Sequence, residues 1–339
     1  MAKLRLSLVT GRHDRVAPLI DGEVEVEGIE LVPTISDASE TFWRQLKFGE
    51  FQVSEMSLSS FLIARERGLD GHYLPVFPNR QLFWTNWSYH VDSGIKKPED
   101  LAGKSIGVGE YQQTAALWMR GIIEHDFGVS QFSVDWWMER TEELSHGGAT
   151  GFKPMDGIKF HRIPEDKSLA TMLLNHELDC ATVGRALTPE TNIIDRSTTI
   201  RPPKDADWTK IKPLFPDRIA EGKRFFDKWG FVPANHGYII RGDVAKEYPW
   251  AAFNLYKAFV ASKQLAESRF PREIPSVLFF GREYLDQTKK MFGGGDFVPY
   301  GVQANYKMLE TAIMISNEQG FIKVRPKPEE LFPEILHSL

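Results

Sequence analysis

The chain has 339 residues, 42% of them hydrophobic and 26% charged, and a net charge of −5. That length exceeds what one compact core usually holds and predicts about two units. The acidic balance offers no basic surface for a polyanion, so no nucleic-acid partner is expected; Cys180, the one cysteine, excludes an intramolecular disulfide and a cysteine-rich metal cluster.

Lys3–Val9 alternates apolar and polar residues and predicts a first strand, ended by Thr10-Gly11 and the charged loop Arg12-His13-Asp14-Arg15. Its apolar part is too short for a secretory signal, and no apolar run approaches the roughly 18 residues of a membrane span. A cytoplasmic protein without membrane contact is therefore expected. Gly28–Pro33 predicts a second strand, Ser39–Phe48 a helix, and Val53–Met56 a strand that passes into a helix ending near Arg67, with serine at its N-cap. Leu74–Phe77 and Leu82–Val91 read as extended, Ser105–Val108 and Val134–Met138 as strands, and Thr114–His125 as the helix between them. Residues 141–166 and 187–216 read as loops, with 146–151 mobile. Leu169–Asn175 predicts a helix and Leu178–Val183 a strand ending at Gly184-Arg185. Phe231–Arg241 predicts another strand, followed by helices over Pro249–Phe270 and Tyr306–Gln319 with one between.

Strand–helix–strand order with short links predicts an α/β fold with a parallel sheet. The middle third has its own alternation, so residues 1–92 plus 200–339 are expected as one discontinuous lobe and 93–199 as an inserted one, with a ligand cleft between them. In such sheets ligands gather at the carboxyl ends of the strands. There the loop Gly107–Thr114 enters a helix whose first amides favour an anion, with Tyr111, Gln112 and Thr114 as further donors. The dinucleotide and phosphate-loop fingerprints both fail in it, which favours a carboxylate over a nucleotide. An ordinary capped helix start accounts for the same residues.

Arg12 and Arg15 suit carboxylate recognition through the planar guanidinium, and His13 beside Asp14 suits proton transfer. A solvated charged turn is the plain alternative. Ser57 and Ser59 read as ligand donors or as N-caps, and no Gly-x-Ser-x-Gly elbow surrounds them. His236 precedes an apolar strand, where a histidine is either structural or catalytic. No metal-binding motif is present; His13, Asp14 and His236 are the set from which a divalent-metal site would be assembled. Trp250, Phe253, Tyr256 and Phe259 read as a homo-oligomer interface or as burial within the lobe.

The blocks GRHDRV at 11–16, FQVSEMSLSSF at 51–61, PVFPNR at 75–80 and DLAGKSIGVGEYQQTAALWMRGI at 100–122, with YPWAAFNLYKAF at 248–259 and VPYG at 298–301, carry a resemblance from end to end. In them the chain resembles the 4,5-dihydroxyphthalate decarboxylases, which have a two-lobed, type II periplasmic-binding-protein-like fold. That fold implies a mixed sheet flanked by helices in each lobe. The chain departs from the family pattern at Arg12 and His13, at Pro233-Ala234-Asn235 and at Leu187, positions that bear on the substrate.

The resemblance implies a carboxy-lyase that converts a hydroxylated aromatic dicarboxylate, as 4,5-dihydroxyphthalate is converted to protocatechuate, without an organic cofactor. It implies carboxylate binding by Arg15, Arg80, Arg185 and the helix start at Gln112–Thr114. Proton transfer falls to His236 or His13, with Asp14 as orienter. The rival is a non-catalytic solute-binding protein, for transport or sensing, that holds a small aromatic or carboxylate ligand with the same contacts.

Overall fold

The computed structural model describes residues 2–143, 145–183 and 199–339. The expectations at Gly184, Arg185 and Leu187 lie outside the described residues. In chain order the strands are β1 (Leu4–Thr10), β2 (Ile29–Ile35), β3 (Val53–Ser57), β4 (Gly71–Arg80), β5 (Ser88–His90), β6 (Ser105–Val108), β7 (Asp135–Met138), β8 (Lys159–Arg162), β9 (Cys180–Ala181), β10 (Ile211–Pro213) and β11 (Ala234–Arg241). Among the described residues no helix is long and apolar enough to cross a membrane.

The chain divides into two units. The first comprises the chain up to Gln81, Lys223–Ile313 and Arg325–Leu339; the second comprises Leu82–Gly222 and Met314–Val324. The first unit holds a five-stranded sheet in the order β2-β1-β3-β11-β4, with β1 parallel to β2 and β3, and β11 antiparallel to β3 and β4. The second holds a six-stranded sheet in the order β10-β5-β9-β6-β7-β8, parallel from β9 to β8 and antiparallel at β5 and β10. Both sheets are mixed and flanked by helices, as the resemblance implies; the antiparallel strands β11 in the first and β5 and β10 in the second correct the parallel sheet expected from strand–helix–strand order.

Burial explains the strand sequences. All five residues of β3 are buried, as befits a strand at the centre of the sheet. Ser57 ends β3 and caps the helix Leu58–Glu66 by accepting from the Ser60 amide, so the strand runs directly into the helix. In the second unit Gly107 of β6 lies where an added Cβ would overlap the Leu169 and Leu178 side chains, so the helix Leu169–Leu174 packs close to the sheet.

Four stretches differ from the sequence expectation, one of them 187–216, read as loop, in which Trp208–Lys210 forms a 3-10 turn and Ile211–Pro213 is β10, paired with β5. Leu82–Val91 is not one extended run: Phe83–Asn86 forms a 3-10 turn, in which the buried Trp84 indole donates to Glu221 at 2.6 Å. Residues 141–166 contain the short helix His146–Thr150 and strand β8; that helix is capped by Ser145, and His146 and Gly147 are buried. The long helix runs on through Pro271 and Pro275 to Val277. Of its aromatic residues, Phe259 is fully buried while Trp250 is exposed.

Gly237 is the tightest joint near the centre of the first sheet. A Cβ there would overlap the Tyr73 ring and lie 2.8 Å from the Val76 carbonyl oxygen. Gly237→Ala is predicted to lower the unfolding free energy by about 1–3 kcal/mol. A urea titration that leaves the midpoint unchanged would contradict this packing.

Candidate active site

Sheet register builds the site in the first unit. Val9 pairs with Ser54 across β1 and β3, and Tyr238 pairs with Glu55 across β11 and β3. Thr10, Glu55 and Tyr238 therefore stand in one row at the carboxyl ends of β1 and β3. His236, two residues before Tyr238, stands on the same face of β11, where it pairs with Ser57. His13 arrives from the loop after β1.

Glu55 is the centre of this group and is fully buried. Its Oε1 accepts from His13 Nε2 at 2.9 Å and from His236 Nδ1 at 2.8 Å. Its Oε2 accepts from the Gly11 amide at 2.8 Å and from Thr10 Oγ1 at 3.1 Å. Tyr238 Oη lies 2.7 Å from Thr10 Oγ1. With Tyr238 donating to Thr10, the threonine hydrogen is left for Glu55, and a buried polar row is satisfied from end to end.

Burial by itself would push the Glu55 carboxyl up, but the hydrogen bonds and charges of His13 and His236 overcome it and hold the group well below the usual carboxylate range. For His13 burial opposes the charged ring, and the bond to Glu55, the charge of Glu55 and that of Asp14 together raise it above its ordinary value. One buried anion thus holds two imidazoles. The rings keep 23% of the His13 side chain and 14% of the His236 side chain exposed, so both reach solvent while anchored from behind. The His236 ring is further fixed edge-on by Phe42, with ring centres 4.6 Å apart.

The other expected residues of this unit fall around the group or away from it. Asp14 is exposed, and Glu55 makes the orienting bond expected from Asp14. Arg12 points outward in a pair with Asp21 at 2.6 Å. Arg15 pairs with Glu267 at 2.6 Å and lies over the Phe270 ring. Arg80 donates to the carbonyls of Val232 at 2.7 Å and Pro299 at 2.8 Å and to Asn305, and burial lowers its pKa to about 10. Its guanidinium ties β4 to two loops. Ser57 and Ser59 are buried with hydroxyls 3.3 Å apart, and Ser57 acts as the N-cap.

The second unit has its own buried carboxylate at a strand end. Glu110 follows β6 and accepts from Ser145 Oγ at 2.5 Å, from the His146 amide at 3.3 Å and from Arg140 at 3.4 Å. Burial opposes its charge, and His146, Arg140 and the bonds from Ser145 and Gln112 hold it below the usual range. Gln112 and Thr114 are buried here, and Gln113, at the N-cap of the helix Thr114–Phe127, makes no side-chain cap. Tyr111 turns inward: its hydroxyl donates to Gln131 at 3.2 Å and the Arg120 guanidinium covers its ring at 3.8 Å.

Glu55 and Glu110 were not singled out from sequence. The available signal was a carboxylate inside an otherwise buried run, Val-Ser-Glu-Met-Ser and Gly-Val-Gly-Glu-Tyr, because such a group needs compensating donors.

The two mixed sheets and their topology define a protein of the periplasmic-binding-protein fold. The chain superposes on the periplasmic aliphatic sulphonate binding protein SsuA from Escherichia coli with TM-score 0.53 at 11% identity, covering 98% of this chain and 92% of that one. It superposes on a desulfurization enzyme, DSZB, in complex with biphenyl-2-sulfinic acid with TM-score 0.51 at 14% identity, covering 99% and 98% of the two chains. No family model matches the chain. Sequence comparison narrows the class. A 4,5-dihydroxyphthalate decarboxylase of Comamonas testosteroni is 30% identical over 342 residues, which cover 100% of this chain and 99% of the relative. Another, of Pseudomonas putida, is 35% identical over 187 residues, which cover 55% of this chain and 72% of the relative. The chain belongs to the 4,5-dihydroxyphthalate decarboxylase family.

Replacing Glu55 by Gln removes the anion but keeps the shape. The His13 pKa, followed by NMR, is predicted to fall in Glu55→Gln. The variant is predicted to lose about 3 kcal/mol of stability near pH 6. Because the His13 pKa is raised on folding, its contribution is complete below its unfolded value of about 6.5 and is lost as pH rises through the folded value. The difference between wild type and variant should therefore shrink at alkaline pH. An unshifted His13 titration would contradict the assignment.

Proposed function

We propose that this chain is a carboxy-lyase that removes one carboxylate from a dihydroxylated phthalate, with His13 and His236 moving the protons and Glu55 holding both. The observation that supports it is the single Glu55 oxygen shared by two partly exposed imidazoles, in a chain of the decarboxylase family.

The chemistry needs one acid and one base. In 4,5-dihydroxyphthalate each carboxylate has a hydroxyl para to it. The base takes that hydroxyl's proton, and the electron density moves to the ring carbon bearing the carboxylate. The acid protonates this carbon, giving a dienone. The carbon–carboxylate bond then breaks, its electron pair restores the aromatic ring, and carbon dioxide leaves. The base returns its proton to the phenolate oxygen, and the acid is recharged from solvent. His13 is assigned as the acid, because Glu55 and Asp14 favour its protonated form. His236, bonded through Nδ1 to the same oxygen, is assigned as the base through Nε2. Glu55 itself never transfers a proton; it orients both rings and offsets the charge that develops on them.

Substrate carboxylates fall to amide and cationic donors. Arg12, Arg15 and Arg80 already hold partners within the unit that carries the two imidazoles. The reaction is placed in the cytoplasm, where one free, buried cysteine is stable.

Carbon dioxide release from 4,5-dihydroxyphthalate by the purified protein tests the reading. Turnover is predicted for the wild type, with losses of about 10²- to 10⁴-fold in His13→Ala and in His236→Ala. The wild-type rate is predicted to fall as pH rises through the raised His13 value. Normal turnover in His236→Ala would remove the assignment. A protein that releases no carbon dioxide but is stabilised by aromatic dicarboxylates would be a binder instead.

A further inference from the structure

A second histidine pair lies in the second unit, where the proton chemistry above has no use for it. His90 ends β5 and is buried; His176 sits in the turn after the helix Leu169–Leu174. Their rings stack, with centres 4.4 Å apart and planes 10° from parallel. Asp92 stands beside them, with its carboxylate 3.7 Å from His90 Nδ1. One ligand-capable atom from each of His90, Asp92 and His176 lies within 4.8 Å of the others.

His176 has φ of 55°, the one positive value at a non-glycine position among the described residues. A left-handed histidine costs of order 1 kcal/mol, and that strain brings its ring over His90. Asp179 lies behind it, with Oδ1 3.4 Å from His176 Nε2 and Oδ2 accepting from the Ser105 amide at 2.9 Å and hydroxyl at 3.0 Å. A carboxylate fixed in this way orients an imidazole for a metal ion.

We propose that His90, Asp92 and His176 form a binding site for a borderline divalent transition ion such as Zn²⁺ or Co²⁺, with Asp179 as the positioning residue for His176. Two nitrogens and one carboxylate oxygen suit such ions better than Mg²⁺ or Ca²⁺. Parallel rings cannot both aim in-plane at one ion, so binding draws His176 out of the stack. Its side chain is 34% exposed, whereas His90 is buried and accepts from the Asp92 amide at 3.2 Å.

The test is titration of metal-free full-length protein with Co²⁺ and Zn²⁺, read by calorimetry and by Co²⁺ visible absorption. His176→Asn is the informative variant, because asparagine accepts the left-handed backbone but supplies no imidazole. Wild type is expected to bind one ion. His176→Asn and Asp92→Asn are expected to bind at least tenfold more weakly, with the His176→Asn melting temperature equal to or above that of the wild type. His236→Ala is expected to bind as the wild type does. Absence of binding in the wild type, undiminished binding in His176→Asn, or loss of binding in His236→Ala instead would each overturn the proposal.

Discussion

The account depends on one buried anion. Transfer of an unpaired carboxylate into a protein core costs several kcal/mol, so Glu55 is tolerated only because its two oxygens accept four hydrogen bonds. Those bonds fix everything near it. Gly11 is drawn in by its amide, which starts the turn that delivers His13. His236 is locked on β11, and Thr10 and Tyr238 complete the row. The same requirement that makes Glu55 stable makes the two imidazoles rigid, and rigid imidazoles with solvent-reaching edges are what proton transfer to a ring carbon needs.

The second unit repeats the physical pattern with different residues. Glu110 also stands at the end of a strand, also fully buried, and also gathers backbone amides with a histidine and an arginine near it. Its effect is local: it pins the turn at Ser145–Gly147 so closely that a Cβ on Gly147 would lie 2.9 Å from the Gln112 side chain. A stretch whose glycines suggest mobility is thereby held in place, and Gln112 is held with it.

Much of the architecture was legible in the residues. β1, β3, β6, β7 and the helices after β3 and β6 follow from apolar periodicity and serine or glycine boundaries, because local pattern and final environment agree there. Leu82–Asn86 misled because its aromatic residues favour strands in general, while here the Trp84 indole needs its bond to Glu221, which lies far along the chain. The candidate site was half legible. His13 and His236 stand out by type and position, but Glu55 is central only through sheet register, which brings residues 10, 55 and 238 into one row. Asp14 beside His13 looked like the natural orienter in sequence, and space assigned that bond to Glu55. The guanidiniums of Arg12, Arg15 and Arg80 looked available for a carboxylate because their partners, Asp21, Glu267 and the Val232 and Pro299 carbonyls, lie between 9 and 252 residues away.

The most direct measurement is the turnover of 4,5-dihydroxyphthalate by Glu55→Gln, with folding checked by circular dichroism. If one carboxylate orients both histidines, the folded variant loses turnover about as severely as a variant lacking either ring, and its KM changes far less than its kcat. A folded Glu55→Gln protein that releases carbon dioxide at the wild-type rate would contradict the account, because the two imidazoles would then be working without the anion that holds them.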